Sequence, residues 1–294
     1  MKIFFKKNII SILFLFILLG YFMFGLFEEY KILRNNYEGE KYYFQECLNE
    51  NNGDHSNCFE IIEYDAHTVF STIFSVETIL RYSCFIIPIC FLIILLWPMY
   101  LEFKTKNIKY VLTRKKYNKY IWDKHKKIFF TALIIPVFLL ITLLICYLFT
   151  GSWDLNNTLL KSPDILTIDN NLNNNLLKYY IFYFVNIYLL FVFIGNIGFF
   201  FLKKNNSFIV TLLCSFITYF FINVITEIII GMLVVGFILG INIENSLNIF
   251  NFWAYHNIIS MEFMFLFVCI LVLVVIVVNY FRYRSKEDLF VEEE

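Results

Sequence analysis

Residues 102–127, EFKTKNIKYVLTRKKYNKYIWDKHKK, hold ten Lys or Arg against two acids and lie between long apolar runs. A basic side chain costs about 2.5–3.5 kcal/mol at the centre of a membrane helix, and short loops rich in Lys and Arg stay on the cytoplasmic side. The stretch therefore reads as a cytoplasmic loop, and it sets the direction of every other crossing. A composition that is 60% apolar and 16% charged over 294 residues excludes a soluble domain with one core and implies an all-α integral membrane protein. The zero formal net charge hides a sorting of acids and bases into different loops, and it offers nothing for nucleic-acid binding.

Six crossings are expected, at about residues 9–27, 84–101, 128–149, 179–202, 208–239 and 258–281. The first follows Lys2, Lys6 and Lys7; it is longer than the apolar stretch of a secretory signal and lacks a small-residue cleavage site, so it reads as a retained helix with its N-terminus inside. Residues 28–77 carry eleven Asp or Glu against Lys31, Arg34 and Lys41 and read as an acidic external loop between helices 1 and 2. Glu77 and Arg81, acid first and four apart, suit a helical ion pair near its end. Pro88 and Pro98 are expected kink points in the second crossing. Trp97 and Trp153 fall near span ends, as interfacial aromatics do. Residues 151–178 form a second external loop, and Lys203 and Lys204 a basic inner turn.

The run 208–239 decides the parity. Its 32 residues would span about 48 Å as a helix, against about 30 Å of hydrocarbon, whereas two crossings need about 40 residues. It reads as one long, tilted or broken span. Six crossings then place every basic cluster inside, including Arg282, Arg284 and Lys286 after the last, whereas seven would put that cluster outside. The topology is N-in, C-in, with the acidic residues 292–294 in the cytoplasm.

Of seven cysteines, Cys84, Cys90, Cys146, Cys214 and Cys269 lie in apolar runs and read as small hydrophobes. Cys47 and Cys58 bracket a polar external segment, where a disulfide between them is favoured over two free thiols. Enzymatic motifs are missing: no phosphate loop, no H-E-x-x-H, no G-x-S-x-G, and His55, His67, His125 and His256 are scattered over separate segments, which suggests neither a catalytic residue nor a metal site. Charges within spans are functional hypotheses by default, and Glu227 is the clearest. Thr211, Ser215, Thr218, Thr226, Gly236 and Gly240 fall within roughly 80° on a helix and read as a packing face, with Gly236-x-x-x-Gly240 allowing close approach. Glu227 lies off that stripe and, with Asn223 and Thr226, is a candidate for a substrate pathway. Its bland alternative is an acid near the outer interface. Asn186, Asn196, Asn223 and Asn279 read as interhelical hydrogen-bonders.

The 102–127 stretch also resembles the first cytoplasmic loop of the type 2, export-type ABC transporter permeases. Glu102 fits the acid of that loose pattern, Ile108 the apolar turn position, Val111 and Leu112 the apolar pair, Thr113 and Arg114 the next step, and Lys124 the final lysine; Lys106, Lys115 and Asn118 depart from it. The resemblance implies a single permease domain of six spans whose loop holds a coupling helix, with Glu102, Ile108, Val111, Leu112, Arg114, Lys115, Lys116 and Lys124 facing an ABC ATPase. It further implies a cell-membrane subunit that pairs with a second permease, binds no cofactor directly and relies on ATP and Mg in the partner ATPase. The apolar knobs would seat in the partner's groove while basic residues meet its acids or lipid headgroups. The alternative is a non-transporting sensor or assembly factor that binds a partner through the acidic external loop. A secondary transporter is disfavoured because inverted repeats are missing.

Overall fold

The structure, a computed structural model, describes residues 2–50, 66–67, 69–70, 83–104, 114, 116–151, 153, 176–202, 207–226 and 261–284. These residues form helices α1 (Lys2–Glu50), α2 (Ser83–Lys104), α3 (Tyr117–Ala132), α4 (Ile134–Thr150), α5 (Leu176–Leu202), α6 (Phe208–Val224) and α7 (Met261–Arg282), with no strand among them. Five helical stretches are long and apolar enough to cross a membrane: Asn8–Asn49, Ser83–Lys104, Tyr117–Thr150, Tyr180–Leu202 and Met264–Arg282. The apolar α6 is shorter, at 17 residues, and the remainder of the 208–239 run lies outside the described residues.

Two boundaries differ from the sequence expectation. Helix α1 does not end at residue 27 but continues to Glu50. Its polar half has no proline, and i,i+4 contacts join Arg34 to Glu38 (3.0 Å) and Tyr42 to Glu46 (2.9 Å). Its 49 residues have a contour of about 70 Å, more than twice the hydrocarbon thickness. The expected inner loop is also shorter than 102–127, because α2 runs to Lys104 and α3 begins at Tyr117. Between α3 and α4 only Leu133 departs from helix, where Pro136 lacks the N–H that Ala132 O would otherwise accept.

Ring and hydrogen-bond contacts give the helix directions. Ser11 donates to Ile94 O (3.1 Å) and Tyr21 shares a hydrogen bond with Ser83 (3.1 Å), so α1 and α2 are antiparallel. Phe22 meets Phe138 and Tyr30 stacks on Phe149 (4.6 Å), so α4 runs with α1. Phe208 packs on Trp97 and Tyr100 while Phe216 meets Phe85, so α6 opposes α2. Phe182 faces Phe265, and Phe199 stacks on Tyr283 just beyond α7; the constant register makes α5 and α7 parallel. With α3 and α4 counted as one rod, directions alternate along the chain.

The centre of the bundle is α5, whose apolar stretch is 72% buried, against 22% for that of α7. Two glycines permit this. A methyl on Gly195 would lie 2.7 Å from Ile128 Cγ2 and 2.9 Å from Leu95 Cδ2, and one on Gly198 would lie 2.7 Å from Leu96 Cδ1. Backbones can approach that closely only where a small residue stands at the crossing.

Candidate functional site

The most polar part of the interior lies where α2, α5 and α7 end and α3 begins. On α3, Tyr117, Tyr120, Lys124, Ile128 and Ala132 are buried at three- and four-residue spacing, with His125 beside them, so one face of the helix turns into the bundle. From the last turn of α2, Glu102 accepts a hydrogen bond from Lys124 Nζ at 2.5 Å. The Lys124 ammonium also sits 4.7 Å from the centre of the Tyr120 ring. The pair is largely withdrawn from solvent, with side chains 9% and 24% exposed for Lys124 and Glu102. Charges so placed must be held together, since either alone would carry an uncompensated desolvation cost.

A second set of bonds ties α3 to α5 and α7. Asn196 Nδ2 donates to Val192 O (2.8 Å), which leaves its Oδ1 as acceptor; His125 Nδ1, 2.8 Å away, therefore carries the proton. Asn279 Nδ2 donates to Asn196 O (2.9 Å) and lies 3.4 Å from Asn196 Oδ1. One turn further on, the Tyr283 hydroxyl donates to Phe199 O (2.6 Å), and Tyr283 O in turn accepts from the Tyr117 hydroxyl (2.7 Å). Phe199 O is among the last four carbonyls of α5, which have no partner within a helix. The tyrosine relay caps it and locks the start of α3 to the ends of α5 and α7. His125, Asn196, Asn279, Tyr117 and Tyr283 are all buried.

The opposite end is joined differently. His67 is buried, with Nε2 donating to Trp153 O (3.0 Å) and Nδ1 2.7 Å from the Tyr180 hydroxyl. The rings of Trp153 and Tyr180 flank it, Tyr147 stacks on Trp153 at 4.6 Å, and Phe70 packs edge-on against Tyr180 and Tyr183.

Of the residues expected to face an ATPase, Glu102 and Lys124 are brought together, Arg114 and Lys116 are exposed, and Ile108, Val111, Leu112 and Lys115 lie outside the described residues. Asn223 and Thr226 are buried at the far end of α6, with the Thr226 hydroxyl donating to Asn223 O (2.9 Å); Glu227, Gly236 and Gly240 lie outside the described residues. Thr211 and Ser215 are fully buried, their hydroxyls donating to Ser207 O and Thr211 O in their own helix, while Thr218 is half-buried. They present small, self-satisfied surfaces. Cys47 is disulfide-bonded and Cys58 lies outside the described residues, while Cys84, Cys90, Cys146, Cys214 and Cys269 are not in disulfides. Among the described residues no group of three His, Cys, Asp or Glu could hold a metal ion.

Sequence reasoning singled out Lys124, Glu102, Asn196 and Asn279 but missed Tyr117, His125 and Tyr283. His125 follows Lys124 directly, and a helix presents both to the interior only when two neighbours, here α2 and α5, flank it. No family model matches the chain, and neither does any curated protein or solved structure.

Proposed function

We propose that the chain is the membrane-spanning permease subunit of an ATP-driven ABC exporter, with six crossings and both termini in the cytoplasm. A separate ATPase would dock on the short segment between α2 and α3, and a second permease would complete the pathway. The observation that carries the proposal is the buried Glu102–Lys124 pair, which clamps the two helix ends that bracket residues 105–116. A push on that segment then moves α2 and α3 together, and the His125–Asn196–Asn279 contacts pass the displacement to α5 and α7. Displacement between discrete packings is how such a push becomes a rigid-body shift.

The topology has its own support. Parallel α5 and α7 require an odd number of crossings between them, which favours a single crossing in 208–239. A disulfide at Cys47 suits an oxidising exterior, on the side away from the basic segment. Neither ATP nor Mg is expected on this chain; both belong to the ATPase.

The test is purification of the solubilised chain with its neighbours, followed by ATPase assay of the complex. A nucleotide-binding subunit should accompany it, and Val111→Asp with Leu112→Asp should uncouple hydrolysis from the permease. If no such subunit co-purifies and the substitutions leave a linked ATPase unchanged, the proposal fails. One observation favours a second reading, a sensor or assembly factor: the polar half of α1 continues as helix with Lys31, Tyr42, Tyr43 and Glu46 exposed. Loss of partner binding on shortening that half, with ATPase coupling absent, would select it.

A further inference from the structure

The outward stripe of the α3–α4 rod changes character once. Towards α4 its exposed residues are Phe130, Leu133, Val137, Leu140, Ile141, Leu144 and Leu148, all apolar; towards the start of α3 they are Lys126, Trp122 and Lys119. At 100° per residue, Lys119, Trp122, Lys126 and Phe130 fall within roughly 80° of one another, so they share one face rather than winding around the helix. Trp122 is 54% exposed and Phe130 72%, as large apolar groups are when lipid rather than protein covers them. The two lysines are about 10 Å apart along the axis and flank the indole.

We propose that Lys119, Trp122 and Lys126 form a binding site for the headgroup of an anionic glycerophospholipid in the leaflet on the basic side. Charge complementarity selects that occupant: two exposed ammonium groups attract a lipid phosphate, the indole N–H supplies a donor at the same depth, and the apolar stripe beginning at Phe130 receives the acyl chains. Of the other charged groups on this part of the helix, Lys124 faces inward and is paired with Glu102, and Asp123 and Lys127 are half-buried. Lys104, Lys116 and Arg284 are also exposed but do not continue into this apolar stripe. The inference needs α3–α4 to cross a membrane and is independent of any ATPase partner.

The full chain should be purified in a mild detergent, mixed with phosphatidylglycerol and phosphatidylcholine, and the lipid retained per chain counted by native mass spectrometry. Wild type should retain phosphatidylglycerol over phosphatidylcholine. The K119Q/K126Q pair should lower that preference by about fivefold per lysine removed, K119R/K126R should keep it, and K41Q on the polar half of α1 should leave it unchanged. Equal retention by wild type and K119Q/K126Q overturns the site. Displacement of the lipid by soluble glycerol phosphate at equal concentration would make it a phosphate site and also overturn the proposal. In vesicles, the emission lost in Trp122→Phe should be the part quenched by lipids brominated near the headgroup, and an unquenched Trp122 would contradict the placement.

Discussion

The two ends of the bundle use different joints. At the basic end, helices are tied by an ion pair, by asparagines, and by tyrosines that cap main-chain carbonyls, each bond fixing one residue to one partner. At the opposite end His67 sits among Trp153, Tyr180 and Phe70, and ring packing carries the contact with two hydrogen bonds added. Aromatic contacts tolerate small rotations because their energy is spread over area. A hydrogen bond to a helix-end carbonyl falls off steeply with angle. The basic end should therefore shift between discrete arrangements, whereas the opposite end can flex, and substitutions can test the contrast.

The largest effect should follow from breaking the ion pair. Glu102→Gln strands Lys124 in a site where its side chain is 9% exposed, and loss of one partner of a buried pair costs about 3 kcal/mol, the lower end of the usual range because Glu102 keeps some solvent. Removing both charges, Glu102→Gln with Lys124→Met, should recover most of that loss. Unfolding midpoints in detergent for the two single variants and the double variant would give the coupling. Additive losses would mean that the pair contributes nothing as a pair, and the clamp would lose its basis.

Next in size is the crowding at the centre. Gly195→Ala should cost about 1–3 kcal/mol, because the nearest atom is Ile128 Cγ2, fixed to a branched carbon. Gly198→Ala should fall near the bottom of that range, since it meets the flexible tips of Leu92 and Leu96. The same unfolding titration ranks them, and the reverse order would mean that α3 is not held against α5 as described.

The asparagines separate by what they leave behind. Asn196→Leu removes the acceptor of the buried His125 N–H and should cost about 1–3 kcal/mol, the desolvation of an unmet donor. Asn279→Leu loses its bond to Asn196 O and the longer contact to Asn196 Oδ1, and also removes an Oδ1 that has no partner, so about 0.6 kcal/mol is expected. Similar losses for both would point to packing rather than hydrogen bonding as their contribution.

How much of this was legible in the sequence depends on whether a signal was local. Apolar length gave the helices and basic clusters gave an expected orientation, because both are properties of contiguous residues. Asn196 and Asn279 stood out because an amide inside an apolar helix needs a partner. The extension of α1 was not legible: acidic residues 28–50 look like a loop by charge, yet no proline breaks the helix and i,i+4 pairs sustain it. Tyr117 and Tyr283 were invisible for a different reason. Tyrosine is abundant here, with 20 in the chain, and what sets these two apart is a carbonyl 84 or 166 residues away.

The smallest chemical changes are the sharpest test of the contrast, since they remove one oxygen at each end. Tyr283→Phe keeps the 4.4 Å stack on Phe199 but uncaps Phe199 O. Water does not readily replace that donor in the buried interior, so about 1 kcal/mol is expected, with faster amide exchange confined to the last turn of α5. Tyr180→Phe also deletes one hydroxyl bond to a buried group, but His67 keeps its bond to Trp153 O and its ring contacts. About 0.5 kcal/mol is expected there, with no localised change in exchange, because the remaining rings can close around the gap. If exchange at the last turn of α5 does not move in Tyr283→Phe, the relay is packing and the distinction between the two ends disappears.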